Sequence, residues 1–557
     1  MSRPAPRGPL ALLLPAVLAA LGLLGRGLAE GAWRAFTTYQ TPFAFQNPGA
    51  ITPPPLVEQV VVVLVDGLAY HASRAMPFLN ELRRRGADGD CRVGLPSLSL
   101  PGRAVLMTGA WQETHGQLTN FNPRPLPVEH LFQTARRRGL RTALAAGSDP
   151  QTLFGPWIED RLVYARLPPA DTRDLAKLEA ELRWMGEATR ALLREKKPNL
   201  FLLDFTIADE AGHAWGAASR EYQAAAAAVD EEILRMAAEL DLRRTVLVVT
   251  ADHGHTATGG HGGAEEPVIH VPLVLAGGPL RPGSTAQVEQ VDLAPTVAAL
   301  LGIEIPASSQ GRPLLELFDV TPESRRAILD SVRQQRESFA SQYLTWISGR
   351  PPASTNVVLL EQEASRARDE RLQRDERSRR GSLAALVLLP LAVLAGLWIL
   401  RVFTVAELST GVLAALGATL LYHALFPLVG LDYSFSAVNR EESLGTFFAK
   451  DMALAAGAGA AAMAAVAAWM ERRRPATLFG LARASWLAAI VFGYFFLVRI
   501  AFVDWRHGIF MRWHMPEQHW GFRFYLDALA LTAVGFAGVG FPLIAWLAAR
   551  LVRLRSK

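Results

Sequence analysis

The feature that most constrains the fold is a series of five long apolar stretches in the last third of the chain. They cover about 382–400, 407–428, 448–470, 484–503 and 524–549. Each is long enough to cross the roughly 30 Å hydrocarbon layer of a bilayer as an α-helix. Because a lipid-exposed backbone must satisfy its own hydrogen bonds, these stretches predict a five-helix, all-α transmembrane region over 382–550.

A further apolar stretch lies near the N-terminus. Two arginines precede an uncharged run over 8–25, and Arg26 follows it. This pattern predicts a signal peptide or a signal anchor over 1–29, and it leaves cleavage and retention as alternatives.

Clusters of basic residues predict the orientation in the membrane. One cluster, at 472–474 with Arg483, lies between the third and fourth stretches, and another follows the fifth stretch at 550–557. Loops rich in arginine and lysine stay in the cytoplasm. If the N-terminal stretch also spans, residues 30–380 lie outside the cytoplasm, in the periplasm or a topological equivalent. The sequence therefore predicts a multi-pass membrane protein with an extracytoplasmic domain.

The region between these stretches has the pattern of a soluble α/β domain. Residues 30–56 are rich in proline and aromatic residues and predict a linker. Short apolar strand-like runs then alternate with helical patterns, which predicts a mostly parallel sheet flanked by helices over 57–350. The clearest strand-like runs are Val60–Val65, Asn199–Phe205, Thr245–Thr250 and Val271–Ala276. The charged residues of 351–381 predict a solvated helical stalk.

Composition excludes two classes of protein. The net charge of +5 does not come from a basic stripe with interleaved aromatic residues, so no nucleic-acid polymer is expected as a partner. The single cysteine, Cys91, excludes a fold stabilised by internal disulfides.

Acidic and histidine residues follow three of the strand-like runs. They are Asp66, then Asp209 and His213, then Asp252 and His253, with His261 in the Gly-rich string that comes next. In an open parallel sheet the carboxyl ends of the strands form the ligand site, so these residues are expected to gather. Three aspartates and three histidines suit zinc or a related divalent ion, and six ligands fit two ions better than one.

A candidate nucleophile lies between the first and second of these blocks. Ser99 occurs in the string Pro-Ser-Leu-Ser-Leu-Pro-Gly-Arg over 96–103, where Ser97 is the rival serine. A serine hydroxyl needs a neighbouring base or metal ion to become a good nucleophile.

These blocks together resemble the alkaline phosphatase superfamily, and within it the type I phosphodiesterase/nucleotide pyrophosphatase group. The string around Ser99 is also similar to that of the GPI ethanolamine phosphate transferases. The resemblance covers about 57–315 and implies an alkaline phosphatase-like fold. It implies that one zinc ion takes Asp66, Ser99, Asp252 and His253, and that a second takes Asp209, His213 and His261.

Two positions depart from the pyrophosphatase pattern. Gly102 stands where an asparagine is expected to contact a phosphoryl oxygen, and Arg103 stands where histidine is common. Both are candidate substrate-binding positions. Arg103 can bind a phosphate oxygen through its planar fork or be a structural residue.

The predicted function is that of a metal-dependent phosphoester hydrolase acting through a phosphorylated Ser99. A phospho-headgroup transferase, with a lipid-linked phosphoester as substrate, is the first alternative. A serine-type sulfatase is the second, because the string after Ser99 resembles that signature too. The single Asp66 at the first strand and the predicted ligands His213 and His261 favour a phosphate ester over a sulfate ester as the substrate.

Overall fold

The computed structural model describes residues 8–165, 167–168, 171–473 and 477–555. The chain divides into two compact units. The sheet unit comprises Thr37–Leu372 and Arg512–Met515. The helical unit comprises Met1–Phe36, Gln373–Met511 and Pro516–Lys557.

The sheet unit is built on eight strands. They are β1 Gln59–Val65, β2 Ala87–Arg92, β3 Thr142–Ala146, β4 Asp160–Val163, β5 Leu200–Phe205, β6 Thr245–Thr250, β7 His270–Gly277 and β8 Ser284–Glu289. Their order in the sheet is β4-β3-β5-β1-β6-β7-β2-β8. All neighbouring strands are parallel except β7, which runs antiparallel to both β6 and β2.

Helices cover this sheet. Before β1 comes α1 Leu13–Thr37, which belongs almost wholly to the helical unit. The sheet unit itself contains α2 Tyr70–Ser73, α3 Pro77–Arg85, α4 Ser99–Thr108, α5 Gln112–His115, α6 Leu131–Arg137, α7 Ser148–Phe154, α8 Leu175–Lys196, α9 Ile207–Trp215, α10 Arg220–Ala237, α11 Glu266–Ile269, α12 Leu293–Leu301 and α13 Pro322–Ser348.

The three central strands explain why the fold can be predicted. β5, β1 and β6 are almost continuous runs of valine, leucine and phenylalanine, and nearly all of their residues are buried. Strands without polar alternation must be covered on both faces, as parallel strands are. The predicted α/β class with a mostly parallel sheet is confirmed. The edge strand β8 is half exposed and lacked such a signal.

The helical unit begins with α1 and continues after the sheet unit. Its other helices are α14 Val357–Ile399, whose first turns belong to the sheet unit, α15 Val405–Leu425, α16 Leu444–Arg473, α17 Leu478–His507, α18 Gln518–Gly538 and α19 Phe541–Arg555. Within the described residues, five helices are long and apolar enough to cross a membrane, or six if α18 and α19 form one bent span.

The fifth apolar stretch is not one straight helix. α18 ends at Gly538 and α19 begins at Phe541, with a bend of 60° between them. The break falls in Gly538-Val539-Gly540-Phe541-Pro542. Proline has no amide hydrogen to continue the ladder, and glycine weakens a helix, so this string interrupts the span.

Helices also extend into the predicted connecting segments. α1 continues to Thr37, past the predicted start of the linker at residue 30. α14 runs without a break from within the charged stretch into the first apolar stretch. The charged residues therefore belong to the same helix as the span that follows them.

Glycines allow α1 to pack closely against α18. A β-carbon at Gly535 would lie 2.4 Å from the backbone nitrogen of Gly22. One at Gly25 would lie 2.8 Å from the carbonyl oxygen of Ala528. Small residues drive helix association in lipid because they permit such approach.

We expect Gly535→Ala to destabilise the helical unit by about 1–3 kcal/mol, because the added methyl group overpacks the contact with α1. Thermal unfolding of the purified chain in detergent measures this. Gly457→Ala is the matched control, since nothing lies within 4 Å of a β-carbon at Gly457. Equal stability of the two variants would contradict the close contact.

Candidate active site

The carboxyl ends of the three central strands carry the predicted ligands. Asp66 directly follows β1. Asp209 and His213 lie one turn apart on α9, which follows β5, so both point from one face of that helix. Asp252 and His253 follow β6. Because β5, β1 and β6 are adjacent and parallel, their ends bring these side chains to one edge.

Ser99 is the first residue of α4 and is half-buried. Its Oγ lies 3.1 Å from His253 Nε2. His253 Nε2 lies 3.4 Å from Asp66 Oδ1. The hydroxyl group therefore adjoins the first predicted ligand set.

The rival serine has a structural role. Ser97 is 1% exposed. Its hydroxyl donates to the carbonyl oxygen of Gly263 at 2.7 Å and accepts from the amide of Gly262 at 3.1 Å. Since both functions of the hydroxyl are used, the geometry favours Ser99 as the nucleophile.

The second ligand set surrounds Asp209. Its Oδ2 lies 3.4 Å from His213 Nε2, and its Oδ1 lies 3.6 Å from His261 Nε2. The Nε2 atoms of His213 and His261 are themselves 3.3 Å apart. The ring of His261 stacks on that of His253, with centroids 3.7 Å apart, so the two sets adjoin.

A fourth histidine, His255, belongs to this second set and was missed from the sequence. It is fully buried, and its Nε2 lies 2.8 Å from Asp209 Oδ1. Its Nδ1 has no hydrogen-bond partner among the described residues. The only sequence signal for His255 is its position two residues after His253. In a loop, that spacing does not predict which way the side chain points.

Two glycines make room for His255. A β-carbon at Gly212 would lie 2.5 Å from His255 Cδ2, and one at Gly67 would lie 3.0 Å from the same atom. Gly67 also has a positive φ of 73°, which an L side chain rarely adopts. The glycines of the Asp-Gly and Gly-His blocks are thus explained by the imidazole packed against them.

Arg103 donates hydrogen bonds to two aspartates of the first ligand set. It is 3% exposed. Its guanidinium donates to Asp66 Oδ2 at 2.6 Å, to Asp252 Oδ2 at 2.8 Å and to Asp204 Oδ2 at 2.9 Å. Of the two alternatives left open by the sequence, this geometry favours the structural one over contact with a phosphate.

Gly102 has a packing role. A β-carbon there would lie 2.8 Å from Asp252 Cβ, so α4 can approach the strand end only without a side chain at this position. Its amide donates to the carbonyl oxygen of Leu98. An asparagine does lie near the nucleophile, at another position: Asn120 Oδ1 accepts from the amide of Leu100 at 3.0 Å. No local pattern in the sequence points to Asn120.

The donor atoms fit metal ions. Asp66, Asp252 and His253 offer ligand atoms within 4.8 Å of one another, and so do Asp209, His253, His255 and His261. Asp66 Oδ1 is buried without a hydrogen-bond partner among the described residues. Such an orphaned carboxylate oxygen is costly unless it binds a cation.

Burial lowers the pKa of three of the site histidines. It lowers the pKa of His253 to about 4, and it lowers the pKa of His255 and of His261. A neutral imidazole is the form that binds metal. The site therefore presents unprotonated nitrogen atoms beside carboxylates at neutral pH.

Comparison with known proteins agrees with this geometry. Residues 60–266 match the model of the family described as type I phosphodiesterase/nucleotide pyrophosphatase. All the predicted metal ligands and Ser99 fall within this range. The resemblance predicted from the motifs is confirmed for this region, which is less than half of the chain.

Curated relatives match over a similar region. The chain is 24% identical to the catalytic subunit of human GPI ethanolamine phosphate transferase 2, over 48% of this chain and 29% of that protein. It is 24% identical to GPI ethanolamine phosphate transferase 1 of Emericella nidulans, over 47% of this chain and 32% of that protein. The chain thus matches less than a third of the length of these relatives.

Solved structures also match part of the chain. Alkaline phosphatase PafA is matched with a TM-score of 0.41 and 10% identity, over 48% of this chain and 99% of that one. Murine ectonucleotide pyrophosphatase/phosphodiesterase 5 is matched with a TM-score of 0.37 and 16% identity, over 47% of this chain and 100% of that one.

Proposed function

We propose that this multi-pass membrane protein is a phosphoryl-transfer enzyme that uses Ser99 to move a phospho-headgroup from a lipid to an acceptor alcohol. The observation that carries the proposal is the position of Ser99 Oγ, 3.1 Å from His253, at the junction of two adjoining clusters of buried aspartates and histidines.

Two divalent metal ions, with zinc as the expected metal, are proposed as cofactors. Asp66, Asp252, His253 and Ser99 would hold one ion. Asp209, His213 and His261 would hold the other, with His255 beside them. When bound, such ions lower the pKa of a coordinated hydroxyl group and stabilise negative charge on the oxygens at phosphorus.

The chain's own residues orient the reaction. Ser99 Oγ attacks phosphorus in line, so the Oγ–P bond forms as the bond to the lipid alcohol breaks and that alcohol leaves with a proton. The phosphorylated serine lies at the N-terminus of α4, where the helix dipole favours negative charge. Asn120, whose Oδ1 accepts from the amide of Leu100, would contact a phosphoryl oxygen through its side-chain amide group.

An acceptor alcohol then completes the transfer. Its oxygen attacks the phosphorylated serine, the new P–O bond forms, and Ser99 recovers its hydroxyl group. The relatives named as GPI ethanolamine phosphate transferases support transfer over the hydrolysis favoured by the sequence motifs alone. The basic clusters at 472–474 with Arg483 and at 550–557 support a cytoplasmic location for these segments, and therefore an extracytoplasmic location for the sheet unit.

Hydrolysis is the second candidate. It is favoured by the match of residues 60–266 to a phosphodiesterase and pyrophosphatase family. Water in place of the acceptor alcohol would release the headgroup from Ser99 by the same in-line step.

We expect Ser99→Ala to lower turnover of an aryl phosphodiester by about a thousandfold or more, because no oxygen remains to attack phosphorus. Metal content, measured by mass spectrometry of the purified chain, should persist. Ser97→Ala is the control and should retain the chemical step. Activity of Ser99→Ala near that of the wild type would refute the assignment of the nucleophile.

Transfer is separated from hydrolysis by following the headgroup. The full chain, loaded with zinc, is incubated with phosphatidylethanolamine labelled in the headgroup and with an excess of an alkyl glycoside as acceptor. We expect labelled phosphoethanolamine on the glycoside, with diacylglycerol as the second product. Free phosphoethanolamine alone would reject transfer in favour of hydrolysis.

His255→Ala should weaken binding of the second metal ion about 10–100-fold, because Asp209 loses the partner that orients its carboxylate. Competition with a chromogenic chelator measures this affinity directly, without reference to activity. His270→Ala serves as the control, since His270 pairs with Asp90 and Glu266 and, among the described residues, with none of the predicted metal ligands. Two ions bound with unchanged affinity would exclude a role for His255.

A further inference from the structure

The helical unit contains a second buried polar cluster. It consists of Tyr422 on α15, Asp451 on α16, Arg499 on α17 and Asp527 on α18. Tyr422 Oη donates to Asp451 Oδ1 at 2.6 Å, and Arg499 Nη2 lies 3.0 Å from Asp527 Oδ1. Both aspartates are 0% exposed. We call these four residues the bundle cluster.

The polar atoms of the bundle cluster are incompletely paired. Neither carboxylate oxygen of Asp527 accepts a well-aligned hydrogen bond within the described part of the chain, and the same holds for Asp451 Oδ2. On the donor side, Arg499 Nε and the Nε of nearby Arg523 are also buried without an acceptor there. Ionisable groups in a membrane are costly unless they are paired or functional.

In two other ion pairs of the unit, the arginine donates two hydrogen bonds to its carboxylate partner. Arg483 donates twice to Glu407 Oε1, at 2.6 and 2.9 Å. Arg553 donates to both oxygens of Glu471, at 2.6 and 2.8 Å. Both pairs lie near the opposite ends of the helices. The bundle cluster therefore differs from the structural ion pairs of the same unit.

Relative to helices that end at the outer boundary of the headgroup layer, the cluster would lie a few ångströms below that layer. Asp451 lies seven residues into α16, Asp527 lies nine residues into α18, and Arg499 lies eight residues before the end of α17. At 1.5 Å per residue, these positions are about 10–14 Å from the helix ends. The polar headgroup layer occupies roughly the outer 5–7 Å on each side.

The cluster also has a route to the lipid. Arg499 Nη1 donates to His423 Nε2 at 2.9 Å, and Nη2 donates to the hydroxyl of Tyr433 at 2.8 Å. His423 is exposed on the surface of the unit, next to the exposed Leu420. A polar path thus runs from the surface at His423, through Arg499, to the buried carboxylate of Asp527.

We propose that the bundle cluster binds the headgroup of a phospholipid that carries its own hydrogen-bond donors. The phosphate oxygens would accept from Arg499 and Arg523, and the distal ammonium or hydroxyl group would donate to Asp527 and Asp451. This ligand supplies both the acceptors and the donors that the cluster lacks. The proposal goes beyond the reaction at Ser99 and does not depend on its outcome.

The test measures lipid binding to the purified full chain by native mass spectrometry. The Ser99→Ala variant is used so that no lipid is consumed. The probes are phosphatidylethanolamine, with an ammonium group, phosphatidylglycerol, with hydroxyl groups, and phosphatidylcholine, which has no donor. We expect the first or second lipid to bind at least tenfold more tightly than phosphatidylcholine, and the preferred one identifies the donor.

Substitutions then locate the site. Asp527→Asn and Arg499→Gln should each reduce binding of the preferred lipid about tenfold or more, while Glu407→Gln, in a fully paired site, should not. If either variant fails to fold, Tyr422→Phe and Arg523→Gln replace it. Equal affinity for all three lipids, or unchanged binding in the folded cluster variants, would overturn the proposal.

Discussion

The contact on which the sheet unit's site depends is the buried guanidinium of Arg103 among three carboxylates. It binds one oxygen each of Asp66 and Asp252 and both oxygens of Asp204. Removing the guanidinium would leave three buried carboxylates without their shared cation, and breaking a buried ion pair typically costs about 3–5 kcal/mol. Since β1, β5 and β6 each supply one of these carboxylates, the arginine fixes the relative positions of three strand ends.

The same contact leaves the site rich in negative charge. One guanidinium faces Asp66, Asp204 and Asp252, while Asp209 lies close by, next to His255 and His261, whose pKa values are lowered by burial. Burial raises the pKa of Asp204 to about 6 against the opposing effect of Arg103. Divalent cations are the simplest compensation for the remaining carboxylates. Arg103 also leaves one oxygen of Asp66 free, so the arginine and an ion do not compete for the same atom.

Much of this site was predictable because the ligands stand at the ends of strands that are easy to recognise. Asp66 and Asp252 follow uninterrupted apolar runs, and the spacing of Asp209 and His213 is one helical turn. The residues that were missed have no such local pattern. His255 follows His253 in a loop, Asn120 is 21 positions from Ser99, and Asp204 lies inside a strand, where only its charge is unusual. The bundle cluster needed the packing of four helices to be seen, since its residues are single polar positions in separate apolar runs.

The stacking of His253 on His261 has a consequence for how the site fills. The two imidazoles lie face to face with centroids 3.7 Å apart; His253 belongs to both groups of possible ligands, and His261 belongs to the second group. Because both rings are buried and in contact, a change in the orientation of one imidazole is expected to shift the other. We therefore expect occupancy of one half of the site to limit the motion of the other half, so that the two halves share the entropic cost of becoming ordered.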